Sequence, residues 1–207
     1  MFIIPCKFTL MSPIKQCAES IKIHFPNEKI VIVDSCSENL NYSKELDVYD
    51  LITNNSNYEI GAYKKAYDKY PNEEWYYNIQ DSLMFKNSIP KKFYDKELIT
   101  VQWFNGFWDS SLQLEWASKN IKIPSKFIGC FGTMFFTSNN NMAKVISNLE
   151  GMTLPTQKIE SCAMERIIGI ILSNLGLDVS NSLQGMHISQ SYKYNSEIVE
   201  KIFCGRQ

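Results

Sequence analysis

This sequence has no surplus of positive charge, and arginine is scarce in it. The 207 residues carry a net charge of −1, and of the 21 basic residues only Arg166 and Arg206 are arginine. A nucleic-acid-binding domain needs a surplus of basic side chains to neutralise phosphates, and bidentate phosphate clamps are usually built from arginine. The composition therefore predicts no nucleic-acid partner.

Paired cysteines, long apolar runs and a basic leader are also missing. The six cysteines are scattered without a C-x-x-C pair, which disfavours a zinc site. No apolar run approaches the roughly 20 residues of a membrane span, and the opening MFIIPCKF lacks the basic region of a secretory signal. We predict a cytoplasmic protein without a membrane span, and the sequence also fits a fragment of a longer chain.

Strand and helix patterns alternate through the first half of the sequence. The apolar runs MFIIPCKF and EKIVIVDS predict strands covered on both faces, as in a parallel sheet. Between them SPIKQCAESIKIHF has helical spacing, with Ser12 as N-cap and Pro13 at the first helical position. A short third strand in ELDVYDLITNN, a second helix, YEIGAYKKAYDKY, and a fourth strand, EEWYYNIQ, continue this βαβ organisation.

The second half is less regular. ELITVQWF and CFGTMFFTS predict strands with some antiparallel pairing, and NNNMAKVISNLEG and IESCAMERIIGIILSNLG predict helices ended by Gly151 and Gly176. The expected fold is an α/β, Rossmann-like αβα sandwich. It has a mostly parallel central sheet and a smaller, partly antiparallel C-terminal part, and residues 1–207 form one domain.

Polar residues follow the ends of the predicted parallel strands. Lys7 follows the first strand, Asp34 and Ser35 end the second, and Asp81 and Ser82 follow the fourth. Ligands of open α/β sheets bind at this carboxyl edge, so two carboxylates and a lysine are expected to converge there. Each aspartate also fits an ordinary strand-end turn residue.

The segment after the first strand, PCKFTLMSP, contains no glycine. It therefore excludes the G-x-G-x-x-G dinucleotide fingerprint and the P-loop, and it argues against a sugar-nucleotidyltransferase, which normally has a glycine-rich loop there. The remaining option is a nucleotide held by side-chain carboxylates and a metal.

Several segments, in this order and spacing, resemble the GT-A class of nucleotide-sugar glycosyltransferases: IIPCKF, SIKIHFPNEKIVIVDSCSEN, YEIGAYKKAYDKYPNEEWYYNIQDSLMF, FGTMFFTS and MERIIGIIL. The likeness is greatest to the small GT-A domains of large algal DNA viruses (chlorovirus type), which glycosylate the major capsid protein. It extends from about residue 2 to about residue 195. It implies a nucleotide-binding half at about 1–85, an acceptor-binding half at about 86–207 and, for a viral chain, location in the host cytoplasm.

The resemblance implies a UDP-sugar donor and assigns residues to it. The nucleotide-binding positions are Pro5, Lys7, Asp34, Ser35, Gly61, Ala62, Lys65, Gln80, Asp81 and Ser82. The fourth strand of the class ends in a D-x-D motif that binds Mn²⁺ or Mg²⁺. The corresponding IQDS has one carboxylate, Asp81, and His187 is the expected second metal ligand, although it also fits an ordinary loop histidine.

Transfer also requires a group that handles the acceptor hydroxyl. The resemblance points to Glu165, near the start of the strongest helix, with Asp109 as the runner-up. Glu165 also fits a solvated helix-face residue. The aromatic cluster Trp103, Phe104, Phe107, Trp108 and Trp116 fits either a sugar-stacking platform, with Trp108 the more exposed, or a core beneath a loop.

Two functions of different kinds therefore remain. The first is a metal-dependent glycosyltransferase that moves a sugar from a UDP-sugar to a glycan or glycoprotein acceptor, a viral capsid glycan among the candidates. The second is a non-catalytic GT-A-like module that binds a nucleotide or glycan, which the single carboxylate of IQDS favours.

Overall fold

The computed structural model describes residues 1–186 and 196–202. The strands in this part of the chain are β1 (Phe2–Cys6), β2 (Ile30–Asp34), β3 (Asp50–Ile52), β4 (Trp75–Asn78), β5 (Leu83–Phe85), β6 (Leu98–Thr100), β7 (Trp103–Asn105), β8 (Ile128–Cys130), β9 (Phe135–Ser138) and β10 (Val199–Lys201). The α-helices are α1 (Ile14–His24), α2 (Tyr58–Lys69), α3 (Ser111–Asn120), α4 (Asn139–Glu150) and α5 (Lys158–Asn174).

Six of these strands form the central sheet in the order β3-β2-β1-β4-β9-β6. The first four are parallel to one another, whereas β9 runs antiparallel to both β4 and β6. The pairs β5–β10 and β7–β8 form two small antiparallel ribbons. The predicted α/β fold with a mostly parallel central sheet is confirmed, and strands from both halves of the chain share that sheet.

Helices cover the sheet on both faces because the central strands are apolar on both faces. On β1, Phe2, Ile4 and Cys6 pack in the layer that contains α1. Ile3 packs in the opposite layer, with α2, α4 and α5. This burial explains why the parallel strands read as continuous apolar runs rather than as alternating ones.

Two segments predicted as single strands are each divided. The run at 97–104 forms β6 and β7, which belong to different sheets, and the run at 130–138 forms β8, a short 3-10 turn and β9. Gly132 and Thr133 adopt the left-handed conformation, with φ of 63° and 53°. This turn breaks strand geometry, and it allows the chain to leave the β7–β8 ribbon and enter the central sheet.

The long helix α5 is fixed at both ends and along one side. At its start Glu160 accepts a hydrogen bond from the backbone N–H of Gln157 at 3.1 Å. At its end the N–H of Leu177 reaches the carbonyl of Leu172 at 2.9 Å, and Gly176 has a φ of 91°, as in a Schellman motif. In its middle Gly169 allows β8 to approach closely.

No helix within residues 1–186 and 196–202 has the length and apolar character needed to cross a membrane.

Candidate functional site

Asp34 lies at the carboxyl end of β2, directly beside Cys6 of β1 in the parallel register. It is only 3% exposed. Both of its carboxylate oxygens accept from the backbone N–H of Ser37, at 3.1 and 3.2 Å. The side chain therefore fixes the turn that leaves β2 as well as facing the sheet edge.

Asp81 reaches the same edge from the turn after β4. The pairing of β1 with β4 ends at Ile3–Asn78, and Asp81 follows three residues later. The hydroxyl of Ser12 donates to Oδ2 of Asp81 at 3.4 Å and lies 3.4 Å from the thiol of Cys6.

Both carboxylates influence the pKa of the Cys6 thiol. Burial, and then the charges of Asp81 and Asp34, raise its pKa above the ordinary value, so both carboxylates act on the same thiol. The two aspartates thus lie on either side of the end of β1, as the parallel-strand rule predicts.

The neighbouring residues that are predicted to bind the nucleotide-sugar differ in solvent exposure. Pro5 is buried, Ser35 and Ser82 are half-buried, and Lys7 is exposed. The backbone N–H of Ser35 donates to the carbonyl of Cys6 at 2.8 Å, which joins the ends of β1 and β2. In this group Lys7 has the charged side chain best placed to meet a ligand from solvent.

Two of the residues predicted on α2 have packing roles. A Cβ at Gly61 would lie 2.4 Å from Oδ1 of Asn55, so this glycine lets the loop before α2 fold over the helix. Ala62 is completely buried. The predicted contact of Ala62 with a nucleotide is wrong, because its side chain has no exposed surface. Lys65 is half-buried in the second turn of α2.

Gln80 directly precedes Asp81 and contacts elements from both layers. Its Nε2 donates to Oε1 of Glu59 at 3.1 Å, and its Oε1 accepts from the ammonium of Lys201 at 2.7 Å. The other oxygen of Glu59 accepts from the hydroxyl of Ser161 at 3.2 Å. Gln80 therefore links the turn after β4 to α2 and β10, and Glu59 extends this network to α5. No sequence pattern singles out Glu59, Ser161 or Lys201.

Glu165 lies on α5, one turn beyond Ser161. The backbone N–H of Gly132 donates to its Oε1 at 3.0 Å, and its side chain is 21% exposed. Burial raises the pKa of Glu165 to about 7, an effect that Glu59 reinforces and that Arg166, Gly132 and Lys158 oppose. A carboxyl group with this pKa exchanges protons near neutral pH, as a general acid or base must.

Asp109 is brought to Glu165 by a shared partner. The guanidinium of Arg166 contacts Oδ2 of Asp109 at 2.8 Å and Oε2 of Glu165 at 3.2 Å. Arg166 is buried, whereas the side chain of Asp109 is 50% exposed. The two predicted acids thus form one cluster around a buried cation, which the sequence analysis did not foresee.

The aromatic cluster is partly core and partly surface. Phe104 is buried, and Trp116 is half-buried against the core. Trp108 packs against Phe127 with ring centroids 5.4 Å apart. Phe107, not Trp108, is the exposed ring, with 54% of its surface accessible. The expectation that Trp108 is the more exposed is therefore wrong, because Phe127 covers it.

Two metal ligands, Asp81 and His187, are predicted from the sequence. Asp81 is among the described residues, and His187 lies outside them. Within 1–186 and 196–202, no group of three or more His, Cys, Asp or Glu side chains is arranged to hold a metal ion. Asp81 alone fits a cation that is bound mainly through diphosphate oxygens and water, since Mg²⁺ often uses only one or two protein carboxylates.

Comparison with known proteins gives little beyond this geometry. No protein-family model matches the chain, and no curated protein matches it. Among solved structures, the chain is similar to the bifunctional IspDF from Campylobacter jejuni at 14% identity and a TM-score of 0.41. The alignment covers 80% of this chain and 47% of that chain, so the chain spans less than half of its length. Function is therefore argued from the site.

Proposed function

We propose that this chain is a metal-dependent glycosyltransferase that moves a sugar from a UDP-sugar to a glycan or glycoprotein acceptor. One observation carries the proposal. Asp34 is level with Cys6 in the sheet register, and Ser12 contacts both Cys6 and Asp81, so both carboxylates border the end of β1 at the carboxyl edge of a parallel sheet, which is where α/β folds bind nucleotides. The GT-A resemblance supports the choice of a nucleotide-sugar, and a viral capsid glycan and a cytoplasmic location remain part of the proposal.

On the donor side, the turn after β2 and the first loop hold the nucleotide. Asp34 has acceptor capacity left beyond its bonds to Ser37, and Lys7 offers a positive charge beside it. Asp81 would hold a divalent cation there, and the cation would neutralise charge at the diphosphate. Ser12 orients Asp81 through the hydrogen bond to Oδ2.

On the acceptor side, Glu165 takes the proton of the reacting hydroxyl. Its pKa of about 7 leaves part of the population ionised at neutral pH and makes the ionised form basic enough to accept a proton. The N–H of Gly132 and the guanidinium of Arg166 stabilise the carboxylate. Asp109 and the exposed Phe107 ring lie on the adjoining surface, where a sugar can stack and hydrogen-bond.

The experiment is a thermal-shift series followed by a UDP-release assay, each with Mn²⁺ and with a chelator. UDP-sugars with Mn²⁺ are expected to raise Tm, since a ligand at 100 times its Kd stabilises a folded protein by about 2.7 kcal/mol. Asp81→Asn is expected to abolish the shift. Asp68→Asn, at an exposed residue of α2, is the matched control and is expected to retain it. A shift with GDP- or CMP-sugars instead would overturn the choice of donor.

The second candidate, a non-catalytic module, is favoured by the single carboxylate of the metal motif. It predicts the same thermal shift but no UDP release with any acceptor. Glu165→Gln separates the two functions. It leaves donor binding intact in both cases, and it removes activity only if the chain is an enzyme.

A further inference from the structure

Arg166 is an unusual residue for the interior of this protein. In the part of the chain that the structure describes it is the sole arginine, and only 3% of it is exposed. Burying a guanidinium is costly unless charged and hydrogen-bonding partners surround it. Its contacts should therefore reveal which parts of the fold it holds together.

These contacts divide evenly between two segments. On the segment 106–109, Nε donates to the carbonyl of Phe107 at 3.0 Å and Nη2 donates to Asp109 at 2.8 Å. On α5, Nη1 donates to the carbonyl of Cys162 at 2.9 Å and to Glu165 at 3.2 Å. One planar group thus bridges the segment to the helix that carries Glu165.

Aromatic rings complete the enclosure. The guanidinium carbon lies 4.8 Å from the centroid of Phe104 and 5.4 Å from that of Phe107, distances at which cation–π attraction operates. A lysine at this position could not make the same set of contacts, because its ammonium is a point charge without the fork of five donors.

Other bonds tie the segment 106–109 elsewhere. The N–H of Gly106 donates to the carbonyl of Phe127 at 2.8 Å, and Gln113 of α3 bonds both the N–H and the carboxylate of Asp109. These bonds link the segment to the β7–β8 ribbon and to α3. Among the hydrogen bonds described here, those of Arg166 link it to α5 and to Glu165.

The charges around Glu165 make the arginine important for its ionisation. Arg166 and Lys158 favour the carboxylate, the N–H of Gly132 donates to it, and Glu59 of α2 opposes it. The thiols of Cys130 and Cys162 also lie within its electrostatic reach. Loss of the guanidinium would remove the influence of Arg166 on the Glu165 carboxylate, and it would leave Asp109 without its positively charged partner.

We propose that Arg166 is a positioning residue that docks the segment 106–109 against Glu165, so that Asp109, the Phe107 ring and Glu165 form one preorganised acceptor surface. The docking follows from the contacts alone. The acceptor role rests on the proposed glycosyltransferase function. Preorganisation of this kind lowers the ordering cost of acceptor binding and holds the reacting groups in register.

The docking is tested without any substrate. Arg166→Lys and Arg166→Met are compared with wild type by hydrogen–deuterium exchange and by NMR titration of the Glu165 carboxyl. Exchange at the amides of Gly106 and Asp109 is expected to accelerate at least tenfold, while the amides of β1 and β2 stay protected, and the Glu165 titration is expected to move to higher pH. Lys119→Met, which removes an exposed pair with Glu115 on α3, is the control and should change neither.

If Arg166→Met does not fold, Arg166→Lys decides the outcome. Unchanged exchange at 106–109 together with an unchanged Glu165 titration would overturn the docking. For the acceptor role, the lysine variant is expected to raise the acceptor KM and lower kcat at least tenfold while leaving the donor KM unchanged, and equal effects on both KM values would overturn it. A wild type that releases no UDP would refute the proposed function and the acceptor role, while the exchange data would still decide the docking.

Discussion

The side-chain amide of Gln80 donates a hydrogen bond to the carboxylate of Glu59, with 3.1 Å between Nε2 and Oε1. Gln80 directly precedes Asp81, so this bond fixes the chain at the point where the two faces of the site meet. Asp81 lies beside Ser12, which precedes α1, whereas Gln80 reaches Glu59 on α2 and Lys201 on β10. An amide hydrogen-bonded to two charged side chains thus links the turn after β4 to α2 and β10.

Replacing Gln80 by alanine should loosen this junction. Glu59 would lose its amide donor, and Lys201 would lose the acceptor that lies 2.7 Å from its ammonium. Hydrogen bonds to charged groups contribute about 1.5–3 kcal/mol each. Because the site is partly solvated, we expect a loss of about 1–2 kcal/mol in the free energy of unfolding, measured by urea denaturation. Gln16→Ala, on the exposed side of α1, is the control, and an equal effect of both changes would contradict the prediction.

Glu165 should make stability depend on pH in a definite direction. Burial raises its pKa to about 7 from the ordinary value of 4.5, so the folded protein holds this proton more tightly than the unfolded chain does. Stability from this group is present below pH 4.5 and is lost as the pH rises to about 7. Glu165→Gln removes the dependence, and its stability relative to wild type should increase by roughly 3 kcal/mol across this window.

The measurement is urea denaturation of both proteins at several pH values between 5 and 8. Glu115→Gln is a suitable control, because Glu115 is exposed and its hydrogen bond to Lys119 lowers its pKa. Its difference from wild type should stay flat over that range. A Glu165→Gln difference that is also flat would show that the carboxyl is not buried as described.

The cysteines should differ sharply in reactivity. Cys36 is exposed, whereas Cys6, Cys17 and Cys130 are buried, and burial raises the pKa of these three thiols. Because the thiolate is the reactive form, an alkylating reagent should modify Cys36 quickly and leave the other three intact until the protein unfolds. Peptide mass spectrometry after timed labelling measures this, with Cys36→Ser as the control that removes the fast modification. Labelling of Cys6 as fast as Cys36 would mean that the end of β1 is open.

Much of the fold could be predicted from the sequence because local patterns and packing agree. The apolar runs of β1 and β2 predict buried parallel strands, and the positions of Asp34 and Asp81 then follow from topology. The helix α5 is predicted by its apolar stripe and by Gly176 after its end. These features depend on periodicity and on strand order, both of which a single sequence contains.

The cluster of Arg166, Asp109 and Glu165 could not be predicted in the same way. Arg166 is a charged residue in an amphipathic helix, where the general expectation is exposure, and its burial depends on Asp109 and Phe107, which are distant in sequence. Glu59 has no distinguishing pattern either. The helix α3 was missed although a signal exists, since Ser110 caps it by accepting from the N–H of Gln113 at 3.3 Å.

Gly169, the single glycine within α5, should not tolerate replacement by alanine. A Cβ at this position would lie 2.1 Å from the carbonyl oxygen of Ile128 and 2.8 Å from Cα of Gly129, so Gly169→Ala must push the helix away from β8. In a helix, alanine is more favourable than glycine by about 1 kcal/mol. The clash, however, is with backbone that cannot rotate away, and we expect a net loss of about 2–4 kcal/mol in the free energy of unfolding.

Gly151→Ala is the matched control. Among the described residues nothing lies within 4 Å of its added Cβ, and its effect should stay within about 0.5 kcal/mol. Chemical denaturation compares the two, and equal stabilities would show that α5 does not rest on β8 at Gly169.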